Sequence, residues 1–284
     1  MTNLTPDSLI VGSHRIAWGV SGDGPPVVLM HGTPAFSHIW RNVAPALVAA
    51  GRRVHVYDLL GFGRSERPAD PAVDTSVTAQ LPILLQLLDA WGLDRAHIVA
   101  HDIGGAVAQR LAVFHPERIV SLTLIDNVSF DSWPSPRTRQ QIAAGLDALI
   151  SAPDEEHRAH TREWLKTAIT NPDRLTDGTV DAYLEMVSGP VGQASLYQHQ
   201  IAHYDPKHTM DVGARLSELA DMPVQIIWGD RDAWQDVAWA HRLHQAIPGS
   251  RLTIVKGGGH FVMESDPDLV AREVVAPGSE ALRL

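Results

Sequence analysis

Short apolar runs alternate with longer stretches of helical periodicity along this chain. HRIAWGV, residues 14–20, sets Ile16, Trp18 and Val20 on one face at period two, as an early strand does. VVLM (27–30), RRVHVY (52–57), HIVA (97–100), IVSLTLID (119–126), VQIIW (224–228) and RLTIV (251–255) follow. The runs that are apolar throughout suit strands covered on both faces. Between them lie helical patterns, such as TSVTAQLPILLQLLDAWGL (75–93) and the segment after Gly104. There Val107, Leu111 and Phe114 recur at i, i+4 and i+7 and predict a core-facing stripe. Repeated strand–helix alternation predicts an α/β fold, a mainly parallel central sheet flanked by helices. The alternation stops after Asp126. Residues 128–212 show only helical patterns, and strands resume at about Pro223. The expected organisation is a core of residues 1–127 and 213–284 with an inserted helical cap, 128–212. No internal repeat or flexible linker interrupts it.

Composition narrows the function classes. A chain of 284 residues buries about three quarters of its unfolded surface. The 44% hydrophobic and 20% charged content is that of a globular protein rather than a disordered one. A net charge of −10 argues against nucleic acid or a polybasic membrane contact as partner. With no cysteine, disulfides, thiol nucleophiles and thiolate metal sites are excluded. No run approaches the roughly 18 apolar residues of a membrane span. The segment MTNLTPDSLIVGS lacks the charged-then-apolar pattern of a signal peptide, so a cytoplasmic location is expected. No His or carboxylate cluster has metal-ligand spacing, and no cofactor-binding glycine loop is present. A small apolar substrate is the expected partner, and the oligomeric state is open.

The chemistry concentrates in HIVAHDIGG, residues 97–105. A buried strand runs into a tight turn made of small residues, then a helix. Ala100, Asp102, Gly104 and Gly105 stand where a nucleophile elbow places its small flanks and its reactive centre. Such an elbow thrusts the central side chain out at the sheet end and aims a helix N-terminus at it. Serine is the usual centre, and here it is aspartate. A carboxylate with an ordinary pKa of about 3.9 is already anionic at neutral pH. It suits displacement at a saturated carbon, giving an alkyl ester that water must then cleave. A base is therefore needed for the second step. His260, in the glycine-rich VKGGGHFVMESDP, is the candidate base, and Asp232, in VQIIWGDRDAW, the candidate for orienting it. Asp126, at the end of the strand after the elbow helix, is an alternative acid, and the sequence leaves both open. An oxyanion hole requires two fixed N–H donors. Ile103 supplies one directly after the nucleophile, and Thr33, in MHGTPAF, is the candidate for the other.

These pieces together resemble the α/β-hydrolase superfamily. They are His31-Gly32-Thr33-Pro34, then residues 58–65 (DLLGFGRS), the Asp102 elbow, Gly229-Asp230-Arg231-Asp232 and Gly259-His260-Phe261. They appear in family order over nearly the whole length, with nucleophile, acid and histidine in the expected sequence. An aspartate in the elbow is similar to the epoxide hydrolase and haloalkane or haloacid dehalogenase branch. That resemblance implies a covalent alkyl-enzyme mechanism without a cofactor. In epoxide opening it implies a cap tyrosine as proton donor, and the cap region offers Tyr183, Tyr197 and Tyr204. Tyr197 and Tyr204 share a face if one helix carries both. For a dehalogenase it implies an indole or amide donor at the halide. Ile103 and Thr33 occupy the usual donor positions, which leaves Trp133 or Trp164 of the cap. The expectation is therefore an epoxide hydrolase giving vicinal diols, with organohalide hydrolysis as the alternative and a non-hydrolytic binding or rearrangement scaffold as the reading from another class. Phe130, Trp133, Trp164, Leu184 and Met186 are expected to line the pocket. His31, His101, Asp58, Arg64, Ser65, Asp230 and Trp228 are expected to serve packing and local hydrogen bonds.

Overall fold

The computed structural model describes residues 3–276. Eight strands form one sheet in the order β1-β2-β4-β3-β5-β6-β7-β8. They are β1 (Asp7–Val11), β2 (His14–Ser21), β3 (Pro26–Met30), β4 (Arg53–Tyr57), β5 (Ala96–His101), β6 (Ile119–Ile125), β7 (Val224–Gly229) and β8 (Arg251–Val255). β1 pairs with β2 and β2 with β4 antiparallel, while every other neighbour is parallel. β1 escapes the sequence pattern because it is an exposed edge strand whose only buried residue is Val11. Gly12 at φ 61° turns it into β2, a conformation suited to a two-residue hairpin. β5 and β7 are buried along their whole length, as their unbroken apolar runs require.

Strand order positions the site. β3 lies between β4 and β5, so the chain leaves β3 toward one edge of the sheet and leaves β5 toward the other. The crevice opens at such a reversal, beyond the carboxyl ends of the strands. The registers Met30↔Ala100, His101↔Ile125 and Ile125↔Ile227 bring the ends of β3, β5, β6 and β7 to one level. The loops carrying Thr33, Asp102, Asp126 and Asp232 therefore emerge side by side.

The helix Val77–Ala90 starts where the Ser76 hydroxyl accepts the Ala79 N–H, and Gly92 at φ 65° follows its end. Its Leu81, Leu84, Leu87 and Leu88 face the core. The elbow helix Ile103–Phe114 is buried over all but its last residue. Phe114 departs from the expected stripe. It is 42% exposed, with the Arg110 and Arg215 guanidinium groups each 5.1 Å from its ring centre.

Between β6 and β7 the chain forms only helices and connecting turns among the described residues. These include Pro136–Ala144, Asp154–Lys166, Asp177–Val187, Gly189–Ser195 and Lys207–Gly213, with a π-helical turn at Leu196–Ile201. Polar side chains tie this segment to the strand-bearing core. Ser195 donates to the Gly61 carbonyl at 2.8 Å, Thr75 to the His199 carbonyl at 2.5 Å and Thr170 to the Gly257 carbonyl at 2.6 Å.

Candidate active site

Asp102 sits at φ 51°, ψ −125°, a strained backbone for a residue with a side chain. Its surroundings explain the small neighbours. A Cβ on Gly105 would stand 2.3 Å from the Asn127 Cβ, one on Gly104 2.4 Å from the His31 carbonyl oxygen, and one on Gly32 2.3 Å from the Asp102 Cβ. Anything larger than hydrogen at these positions would push the elbow off the ends of β3 and β6. The strain is thus held by packing on both sides of β5.

Asp102 is buried to 6% exposure, and its two carboxylate oxygens face different partners. Oδ2 accepts the Thr33 N–H at 2.7 Å, and the Ile103 N–H bonds the same carboxylate. Oδ1 stands 3.9 Å from Nε2 of His260. Burial raises the pKa of Asp102 above the ordinary value; the His260 charge and the two N–H donors pull the other way without cancelling it. One oxygen is therefore held by fixed dipoles while the other is turned toward the imidazole.

His260 is fully buried. Its Nδ1 is 2.8 Å from Oδ2 of Asp232, and its Nε2 has no hydrogen-bond partner among the described residues. Asp232 is oriented in turn by the N–H groups of Trp234 and Gln235, at 2.7 and 2.9 Å on Oδ1. Burial disfavours the imidazolium, but the Asp232 charge, its hydrogen bond and the Asp102 charge outweigh it and raise the pKa of His260. The histidine loop is fixed from below, where Nε2 of His101 meets the His260 carbonyl at 3.0 Å, and the Trp234 ring lies 4.7 Å from the imidazole. Of the two acids that the sequence leaves open, Asp232 contacts His260. Asp126 instead accepts the Gly229 N–H at 2.8 Å.

A cavity of about 600 Å³ opens over Asp102. Thr33, Asp102, Ile103 and His260 form its floor with Val128. Trp133, Trp164, Tyr204 and Trp234 form walls, and Arg137, His160 and Glu163 stand farther along its lining. Trp164 and Trp234 stack at 4.7 Å between ring centres.

The three tyrosines part company. Tyr204 lines the same cavity as Asp102 and Thr33, close enough to feel the Asp102 charge. Burial and the Asp102 charge raise its pKa well above the ordinary phenol value, so it carries its proton. Tyr183 corrects the expectation of a cavity donor. It is fully buried away from Asp102, and its hydroxyl donates to Glu264, which also pairs with Arg41, the Nη2–Oε2 bond being 2.8 Å. Tyr183 thereby locks the Asp177–Val187 helix to the turn just after His260. Tyr197 packs with Leu196 and Ile201 in an adjoining chamber that shares Arg137, His160 and Trp164 with the Asp102 cavity. The helix ends near Ile201, so Tyr197 and Tyr204 do not share a helical face.

Other expected lining residues also move. Phe130 stacks near Trp239 under the Arg242 guanidinium, Leu184 belongs to the buried core, and Met186 sits beside Arg67. The Trp133 N–H is committed to the Thr209 hydroxyl at 2.8 Å. Val128, Arg137, His160 and Gln235 line the cavity without any advance signal, because their sequence neighbourhoods carry no motif. The local roles expected elsewhere are visible. His31 bridges the Gly32 carbonyl and the Leu59 N–H, Asp58 accepts the Ser37 and Arg64 N–H groups, and Asp230 accepts that of Gly257. Among the described residues no cluster of side chains could hold a metal ion, and no helix is long and apolar enough to cross a membrane.

Residues 25–267 match the model of the family described as alpha/beta hydrolase fold. A crystal structure of an alpha/beta hydrolase fold protein from Burkholderia ambifaria superposes with a TM-score of 0.88 at 34% identity, covering 96% of this chain and 98% of that one. A 2-hydroxy-6-oxononadienedioate/2-hydroxy-6-oxononatrienedioate hydrolase of Cupriavidus pinatubonensis is 28% identical, over 88% of this chain and 85% of its own. Epoxide hydrolase 4 of Mus musculus is 27% identical, over 90% of this chain and 73% of its own.

Proposed function

Since the chain belongs to the α/β-hydrolase fold family, we propose that it is a hydrolase in which Asp102 forms a covalent alkyl ester, and that its substrates are epoxides. The observation that carries this reading is the pair of oxygens on Asp102. Oδ2 rests on the Thr33 N–H at 2.7 Å, while Oδ1 faces the cavity side of His260. Oδ1 attacks a ring carbon of the epoxide. The carbon–oxygen bond breaks, its electron pair goes to the epoxide oxygen, and that oxygen takes the Tyr204 proton. Water then attacks Cγ of Asp102 while Nε2 of His260 removes its proton, with Asp232 stabilising the imidazolium. The oxyanion formed on Oδ2 lies on donors already in place, so little reorganisation is required. Collapse expels the product alkoxide, which takes the proton from the His260 imidazolium and leaves as a diol. The remaining carboxyl proton passes through solvent to the Tyr204 phenolate, which restores the carboxylate. The likeness to mouse epoxide hydrolase 4 supports the choice of substrate.

The test is one turnover in water enriched in heavy oxygen. Label should enter the Asp102 peptide, with the first product carrying an oxygen from the enzyme. Label in product alone would rule out the covalent route.

Tyr204 separates epoxide from organohalide chemistry. General acids contribute roughly 10²- to 10⁴-fold, so Tyr204→Phe should slow epoxide opening by about 100-fold or more. Its effect on a haloalkane should be small, because halide leaves without a proton. Tyr183→Phe should behave in the opposite sense. Losing a hydrogen bond to a charged partner costs about 1–3 kcal/mol, so thermal stability should fall while kcat holds. An organohalide preference undiminished by Tyr204→Phe would favour the alternative. Trp164 supports that reading, since its indole lines the same cavity as Asp102.

A further inference from the structure

Two carboxylates flank the imidazole in this site, and a third lies behind one of them. Asp102 and Asp232 lie 3.9 and 2.8 Å from His260. The third, Asp126, is completely buried at the end of β6. Its backbone is held at φ 41°, the left-handed region that costs a side-chain-bearing residue free energy. One oxygen accepts the Gly229 N–H at 2.8 Å, and the other, Oδ2, is buried without any donor. An ionised carboxylate in that position has half its acceptor capacity unmet in a low-dielectric interior, which is costly.

We propose that Asp126 is a neutral carboxylic acid in the resting protein and a positioning residue, donating its proton to the Asp232 carboxylate and so holding that carboxylate on His260. The catalytic reading above is not required for the protonation itself, which is a property of the folded chain. The argument is one of charge and donors. Gly229 links the two: its N–H donates to Asp126 at 2.8 Å and its carbonyl accepts the Asp232 N–H at 3.3 Å, which brings the two carboxyl groups near enough for each charge to weigh on the other. Two buried carboxylates in contact cannot both ionise, and the proton stays on the one with fewer compensating donors. Asp232 has the Trp234 and Gln235 N–H groups and the imidazole. Asp126 has one N–H. The charged groups facing the pair are His260, hydrogen-bonded to Asp232, and Asp102, whose negative charge adds to the repulsion on Asp126. Burial, the Asp232 charge and that of Asp102 all push Asp126 toward its neutral form. Protonated, Oδ2 becomes a donor, its lack of a donor partner ceases to matter, and both ends of the side chain are used. Oδ1 hangs the 229–232 turn from β6, and the acid proton fixes the carboxylate at the end of that turn.

This assignment makes asparagine, not glutamate or alanine, the functional equivalent. An asparagine Oδ1 would accept the Gly229 N–H and its NH₂ would donate to Asp232. The experiment compares wild type, Asp126→Asn and Asp126→Ala. Infrared difference spectra with isotope-labelled aspartate should show a protonated carboxyl band in wild type at neutral pH that is absent from Asp126→Asn. Nitrogen NMR of the His260 ring should give the same pKa in wild type and in Asp126→Asn, since no charge has been removed. Asp126→Ala should lower kcat about tenfold or more, and the asparagine variant should keep kcat within a few fold of wild type. A His260 pKa that falls in Asp126→Asn would mean that a negative charge had been deleted, and would overturn the assignment. So would a protonated carboxyl band unchanged in that variant. Both readouts stand even if epoxides are not the substrate.

Discussion

Asp102→Asn is expected to abolish turnover, by roughly 10⁴- to 10⁶-fold, the range found when a member of a catalytic unit is removed. The substitution is nearly isosteric, and its oxygen can keep the Thr33 N–H that now bonds Oδ2 at 2.7 Å. Asparagine also tolerates positive φ better than most residues, so the elbow at φ 51° should persist. What disappears is the anionic oxygen that attacks carbon. The variant should also be more heat-stable than the parent. Burial raises the pKa of Asp102, so the folded state holds that proton more tightly than the unfolded chain does. Ionisation of such a group costs stability progressively as pH rises from its unfolded value through its folded value. A neutral amide removes it. Intact-mass spectra should show no adduct with any substrate, and calorimetry should show a raised melting temperature. Residual turnover within tenfold of wild type would remove Asp102 from the nucleophile's role.

The second large effect is expected from His260→Gln. Alkylation of Asp102 needs no base, because the attacking oxygen is already charged, whereas hydrolysis does. The variant should therefore consume at most one equivalent of epoxide and accumulate an alkyl-enzyme visible as added mass. Steady turnover should fall by roughly 10³- to 10⁴-fold, most of a general base's contribution. A companion result concerns pH. Despite burial, Asp232 and Asp102 raise the pKa of His260 in the resting enzyme. Esterification neutralises Asp102, so that part of the upward pull is lost and the imidazole becomes a weaker base in the intermediate. Deprotonated His260 is the active form, and hydrolysis gains rate as pH rises through its pKa. The acid limb of single-turnover ester hydrolysis should then lie below the His260 pKa measured by NMR in the free enzyme. A limb at or above that value would show that the Asp102 charge does not reach the imidazole, despite the 3.9 Å separation.

Much of this arrangement was legible in the residues. The strands β3 to β7 declare themselves because their apolar runs are buried, and the half-exposed edge strand β8 because Leu252, Ile254 and Val255 keep it apolar. Strand β1 does not, because an exposed edge strand needs few apolar residues. The elbow is legible because its geometry restricts residue size over a few consecutive positions, which a single sequence displays directly. The tyrosines were not. Whether a phenol points at Asp102 or at Glu264 depends on how the inserted helices rotate and where each one ends. Tyr183 and Tyr204 differ in nothing that their own neighbours in the chain reveal.

The sequence by itself determined the α/β architecture, the helical insertion and the anionic residue at the turn after β5, because each is written in local periodicity or local bulk. Only the tertiary structure decided between Asp232 and Asp126 beside His260, brought Tyr204 alone of the three tyrosines into the lining of the Asp102 cavity, and committed the Trp133 indole to Thr209. These are contacts between residues tens of positions apart. Their selection rests on strand register and on which buried polar groups find partners, and neither quantity exists until the chain has folded.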